Sequence, residues 1–217
     1  MKLENIKDPG SAITHFIAML MAAFSALPLL IHAIHSPKII NIGPLVVFIV
    51  SMILLYLAST LYHTFDKGEK INCLLKKFDH SMISVLIAGT YTPVCLLVLK
   101  PAQGIPLLIL IWGLAIMGIL LKLFWVYCPR WVSSILYIVM GWTCVLAFGP
   151  LLHILSVSAF GWLLAGGIIY TIGGIIYALK LPLFNSKHKY FGSHEIFHLF
   201  VMGGSICHFV FMYYYVC

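Results

Sequence analysis

Residues 43–63 read GPLVVFIVSMILLYLASTLYH, an uncharged apolar run that ends on Ser59 and His63. A transmembrane helix needs roughly 20 such residues. Similar runs recur at about 12–34, 79–99, 104–124, 132–153, 158–179 and 194–216. Together they predict an all-α membrane protein, a seven-transmembrane helix bundle that uses residues 1–217 as a single domain. Breaks fall at His35-Ser36-Pro37-Lys38, Lys100-Pro101-Ala102-Gln103-Gly104, Cys128-Pro129-Arg130 and Asn185-Ser186-Lys187-His188, which is turn chemistry. Only Ser156 and Ser158, near Gly161, separate the fifth and sixth runs.

Composition agrees. The 217 residues are 62% hydrophobic and 9% charged, with mean hydropathy +1.06, which excludes a soluble globular domain. Residues 1–11 are short, polar and of mixed charge, and the run behind them is long enough to span, so no cleavable signal peptide is expected. Cys73, Cys95, Cys128, Cys144, Cys207 and Cys217 have no zinc-knuckle spacing and read as free thiols rather than a disulfide framework. The net charge of +7 sits in short loops. It therefore reads as topology and contact with anionic head groups, not as nucleic-acid binding.

Eleven of the thirteen Lys and Arg fall on one side of the bundle: Lys2, Lys7, Lys67, Lys70, Lys76, Lys77, Lys122, Arg130, Lys180, Lys187 and Lys189. Lys38 and Lys100 fall on the other. Basic loops stay inside, so the N-terminus is expected in the cytoplasm and the C-terminus outside, in a multi-pass cell membrane protein. Merging the fifth and sixth runs would put the last basic loop on the wrong side.

Ionisable side chains within spans are costly and tend to be paired and functional. His63 closes the second span, Asp79 opens the third, and His194 and His198 open the seventh. All four should then lie at one depth. His194 and His198 are one turn apart on one helix face, about 6 Å along the axis, which suits two ligands of one metal; Ser59 and His63 share a face likewise. Three imidazoles and a carboxylate make the ligand set of a catalytic zinc site with an open position. The ordinary reading of a histidine at a span end is interfacial, and His32, His35, His153 and His188 take it. His80 reads as a loop-edge neighbour pointing away from Asp79. His208, about 15 Å deeper than His198, reads as an interior polar contact, and His15 as a supporting residue or a bystander. His194-Glu195-Ile196-Phe197-His198 also fits HExxH, in which the glutamate is a protease base, but no acidic residue follows Glu195 to complete such a site.

Specific strings carry a family resemblance over nearly the whole chain. They are Ser11-Ala12-Ile13-Thr14-His15, Leu57-Ala58-Ser59-Thr60-Leu61-Tyr62-His63, Lys76-Lys77-Phe78-Asp79-His80 and Ala88-Gly89-Thr90-Tyr91-Thr92-Pro93. His194–His198 follows, with Gly203-Gly204-Ser205-Ile206-Cys207-His208-Phe209 behind it. With these the chain resembles the hemolysin III branch of the progestin and adipoQ receptor (PAQR) family. The resemblance implies seven spans with the N-terminus inside. It implies zinc on His63, His194 and His198 and a zinc-bound water held by Asp79, with Ser59 nearby. Adiponectin receptors are linked to ceramide hydrolysis, and alkaline ceramidases look related. The short bacterial-type members are named for hemolytic activity and often described as channels. Hormone-receptor signalling is not expected, for want of a long N-terminal cytoplasmic segment.

The leading expectation is a zinc-dependent hydrolase of a lipid amide or related acyl substrate, reached laterally from the bilayer. Zinc on His63, His194 and His198 would lower the pKa of bound water from about 15.7 toward ~7, with Asp79 as base. Ser59 would bond the water, the carbonyl or Asp79, or else serve as a small packing residue. The same residues could hold purely structural zinc, and histidine ligands also suit other transition ions. The rivals are a pore-forming channel clamped by zinc, and a lipid-sensing receptor without turnover. The outer halves of the spans hold no charged ring, so ion selectivity has no support. Pro93 should kink or end the third span, with a pocket beside it. Gly166-Gly167, Gly173-Gly174 and Gly203-Gly204-Ser205 should permit close helix contact. Trp112, Trp125, Tyr127, Trp131 and Tyr213-Tyr214-Tyr215 should anchor span ends.

Overall fold

Each apolar run forms one long helix in the computed structural model, which describes residues 6–36, 41–179 and 190–217. Lys2, Lys38, Lys180, Lys187, Lys189 and His188, and the breaks at Pro37 and 185–188, lie outside the described residues. The helices are α1 Pro9–Ile34, α2 Gly43–Thr64, α3 Glu69–Val98, α4 Pro101–Phe124, α5 Arg130–Ile154, α6 Val157–Leu179 and α7 Ser193–Val216. No strand occurs among the described residues. The weak break at Ser156 does separate α5 from α6. Proline in the first two positions opens α1, α2 and α4, where its missing N–H costs nothing.

One boundary departs from expectation. α3 opens at Glu69 and not at Asp79. Gly68 turns the chain at φ 87°, a conformation open to glycine. Glu69 then meets the positive helix end, and the Lys- and Leu-rich residues behind it favour helix without being apolar enough to span. Asp79 thus opens the apolar part of α3 but lies well inside the helix.

Two helices change register at a shared point. α3 is α-helical to Pro93 and continues as a π-turn over Val94–Val98. Pro93 has no amide to donate, and the ladder slips by one residue behind it. Two residues before it, the Tyr91 hydroxyl accepts the Cys144 amide N–H at 2.7 Å and donates to the Gly141 carbonyl at 2.5 Å. These bonds take up α5 backbone groups where Thr143–Ala147 tightens to a 3-10 helix.

α1 packs on α2 and α7, α2 on α3, α3 on α4 and α5, α5 on α6, and α6 on α7. The α6–α7 seam explains its glycines. A Cβ at Gly166 would sit 2.7 Å from the His208 ring, one at Gly173 2.8 Å from Phe200, and one at Gly204 2.7 Å from the Tyr170 ring. Gly167 faces open space and takes no part in this contact. Trp112 is no interfacial anchor, because its indole N–H donates to Thr92 Oγ1 at 3.2 Å inside the bundle. Trp125, Tyr127, Trp131 and Tyr214 are exposed at helix ends, as anchors are. All six cysteines are free. α3, α2 and α7 are the most enclosed spans, at 61%, 50% and 44% buried against 28% or less for the rest. These three carry Asp79, His63 and the His194/His198 pair, so the fold keeps its costly polar groups away from lipid.

Candidate metal centre

Three imidazoles from two helices meet at the end of the bundle where α1 begins. His63 lies in the last turn of α2, His194 in the first turn of α7, and His198 one turn further along. Their ligand nitrogens all lie within 4.8 Å of one another. The Nε2 atoms of His63 and His194 face each other at 3.3 Å. His63 and His198 are buried and His194 is half-buried. The helix start is fixed locally, since Glu195 Oε2 accepts the Gly192 N–H at 2.8 Å, the glutamate half of a capping box.

Neighbouring polar groups set the ring tautomers. Asp8 Oδ2 lies 2.9 Å from His63 Nδ1. An ionised carboxylate only accepts, so Nδ1 carries the proton and Nε2 presents its lone pair. This hydrogen bond, chiefly, holds the Asp8 carboxyl below its ordinary value. Thr14 Oγ1 donates its single proton to the carbonyls of Gly10 and Ser11, each 3.0 Å away. The same hydroxyl lies 3.1 Å from His198 Nδ1, and as the acceptor there it would leave the Nε2 lone pair of a neutral His198 free. Further contacts tie the residues ahead of α1 to the end of α2. The Asp8 amide donates to the His63 carbonyl at 2.9 Å, and the Lys7 ammonium lies 3.6 Å over the Tyr62 ring.

Imidazole lone pairs that converge need a cation or a shared proton between them, and the His63–His194 contact is within reach of either. Carboxylate or hydroxyl partners on the remote ring nitrogen are the usual support of metal-bound histidine. The donor set therefore fits a divalent transition ion with room for a further ligand. Asp8→Ala and Thr14→Val should each weaken metal affinity by about 10–100-fold, read by competition with a fluorescent chelator, with helical content unchanged.

A cavity of about 190 Å³ runs inward from the cluster; Ser59, Asp79, His15, His194, His198 and His208 line it among apolar side chains. It passes Thr90, Tyr91 and Val94, beside the register change at Pro93 as expected. Asp79 is buried in its wall but is not among the converging ligands. Ser59 is buried in the same wall. His80 corrects its expected role: it is helical, and its Nδ1 reaches Asp79 Oδ2 at 3.1 Å. The Tyr137 hydroxyl donates to the His80 carbonyl at 2.8 Å. His15 stacks on His198 with ring centroids 3.5 Å apart, which makes it a support of the cluster. His208 stacks on Tyr170, as an interior contact should. His32, His35 and His153 are exposed at helix ends. Glu195 is not a free base: besides its cap bond it accepts the Ser11 hydroxyl. The HExxH reading loses its key residue to helix capping.

Asp8, Thr14 and His80 are neighbours of the candidate site that sequence reasoning missed as such. Thr14 was within reach, since it sits in the Ser11–His15 string one residue before His15. Asp8 was not, because a carboxylate ahead of the first span gives no sign of pairing with a histidine 55 residues later.

A seven-span, all-α membrane bundle with a trihistidine cluster at one end is the class that fold and site define. Residues 3–209 match the family described as "Haemolysin-III related". The chain is 41% identical over 199 residues to the "Hemolysin-3 homolog" of Bacillus subtilis (strain 168), covering 92% of this chain and 89% of that protein. It is 41% identical over 210 residues to the "Hemolysin-3" of Bacillus cereus, covering 97% and 92%. A shorter likeness, 36% over 58 residues, covers 25% of this chain and 13% of the adiponectin receptor protein of Drosophila melanogaster. The chain belongs to the haemolysin-III-related family, within the wider PAQR grouping, and is a multi-pass protein of the cell membrane.

Proposed function

We propose that this protein is a zinc-dependent hydrolase of an amide-linked lipid, with His63, His194 and His198 as the metal ligands. The supporting observation is the cluster of three converging imidazoles, two of them with a polar partner on the remote ring nitrogen, beside a mainly apolar cavity that also holds Asp79 and Ser59. The basic-loop asymmetry supports a cytoplasmic location for this end. When bound, zinc supplies Lewis-acid polarisation of a carbonyl and a water ionised near neutral pH.

The chain supplies the rest. Asp8 and Thr14 hold the rings of His63 and His198 in ligand tautomers. His80 occupies Asp79 Oδ2, which orients the carboxylate and leaves Oδ1 to take a proton. The Ser59 hydroxyl offers a hydrogen bond to the substrate carbonyl or to Asp79. The apolar cavity wall receives the acyl chain and excludes bulk water. Its lining has no charged ring, which disfavours a conduction path. Lysis of cells, which the relatives' names denote, is an outcome that lipid hydrolysis can also produce.

The direct test is fatty-acid release from a panel of N-acyl lipids by the purified protein. Release that stops with chelator and returns with zinc is the expected result. A zinc-loaded protein that leaves the whole panel intact, yet passes single-channel current in liposomes, would replace this reading with the pore.

A further inference from the structure

A second cavity, of about 540 Å³, lies at the same end of the bundle, on the loop side of the histidines. Its basic residues are Lys76 of α3, Lys122 of α4 and Arg130 of α5; its carboxylates are Asp8 and Glu195. The carboxylates are committed elsewhere, Asp8 to His63 and Glu195 to Ser11 and the Gly192 amide. Among the described residues the carboxylate pairs are His63–Asp8 and His80–Asp79, so none of the three cations has a carboxylate partner. Lys76 and Arg130 instead lie over the Tyr127 and Tyr177 rings, at 4.4 and 5.2 Å. Lys122 is the sharpest case: it is 0% exposed. Its ammonium meets the Ser133 hydroxyl and, at 3.1 Å, Cys128 Sγ, with no carboxylate beside it. A buried ammonium without an opposite charge is costly and calls for an anion.

The two cavities are adjacent. His80, Ser133, Tyr177 and His194 line both. One ligand could thus place a charged head among the cations and an acyl tail in the apolar cavity, with the metal centre beside the junction. We propose that the basic cavity binds the phosphate of an anionic lipid head group, held by Lys122, Lys76 and Arg130. Three cations carried on three helices suit the several oxygens of a phosphate, which takes charge-assisted bonds from Lys and Arg alike. The proposal rests on the apolar cavity being a lipid site but not on the metal.

The test is binding to the purified full-length protein in neutral detergent, with three probes: ceramide 1-phosphate, ceramide of the same acyl chain, and inorganic phosphate. The parent should bind the phosphorylated lipid at least about tenfold more tightly than its neutral counterpart. Lys122→Met, of similar length, should abolish that preference, and Lys76→Gln with Arg130→Gln should reduce it. Should Lys122→Met fail to fold, the double variant decides, since Lys76 is half-buried and Arg130 exposed. Equal affinity for both lipids, or an unchanged preference in the double variant, overturns the assignment. Inorganic phosphate that binds as tightly as the phosphorylated lipid overturns the lipid part and leaves a free-anion site. His63→Ala separates the two readings. Retained preference in that variant supports the phosphate site whatever becomes of the metal, whereas loss of preference there alone would move the anion to the metal centre and overturn the proposal.

Discussion

The His194→Ala/His198→Ala variant will carry no metal when purified beside a parent that holds about one zinc per chain. Elemental analysis without added zinc reads this directly. Removing both leaves His63 as the sole imidazole of the cluster, and one imidazole does not retain zinc. Both rings belong to the opening turns of α7, so the helix has no need of them. His198 is packed against His15, and its loss leaves a small void. Thermal unfolding controls for that damage. Added zinc should raise the melting temperature of the parent, because it binds only the folded chain, and should leave the variant unmoved. Equal metal in parent and variant would remove the site. No metal in either, with the protein folded, would leave the cluster as hydrogen-bonded packing and direct attention to channel recordings.

Asp79→Asn will keep its metal and lose lipid-amide turnover by about 10²–10⁴-fold, the usual contribution of a positioned base. The substitution preserves shape, and its amide oxygen can still accept the His80 contact, so α3 and the cavity wall should stand. Only the capacity to take a proton goes. The metal should stay because Asp79 is not among the converging ligand atoms. His63→Ala, in contrast, should lose metal and turnover together. Retained turnover in Asp79→Asn would strike the carboxylate from the reaction, and metal loss equal to that of His63→Ala would make it a ligand.

Ser59, the partner on the His63 face, shares the buried wall with Asp79, so its hydroxyl is in the right compartment for either of its expected roles. Helical spacing sets Asp79 and His80 apart, yet the two side chains meet. A 100° helical offset separates backbone directions, whereas two flexible side chains can still reach each other.

By itself the sequence determined the number of spans, nearly all of their ends, and the polar residues that such spans can tolerate only when enclosed. Hydrophobic length and turn residues are local properties, and a bilayer makes them decisive because every backbone polar group must be satisfied within its own helix. The sequence also marked His63, His194 and His198 together, since their periodicity and position fix a shared depth. The tertiary structure decided what depth cannot. It set Asp8 against His63 and Thr14 against His198, spent Glu195 on a helix cap, joined Asp79 to His80, and buried Lys122 beside the same junction. Those outcomes depend on helix rotation and on side-chain partners far apart in the chain. Packing between helices sets both, and no single helix encodes them.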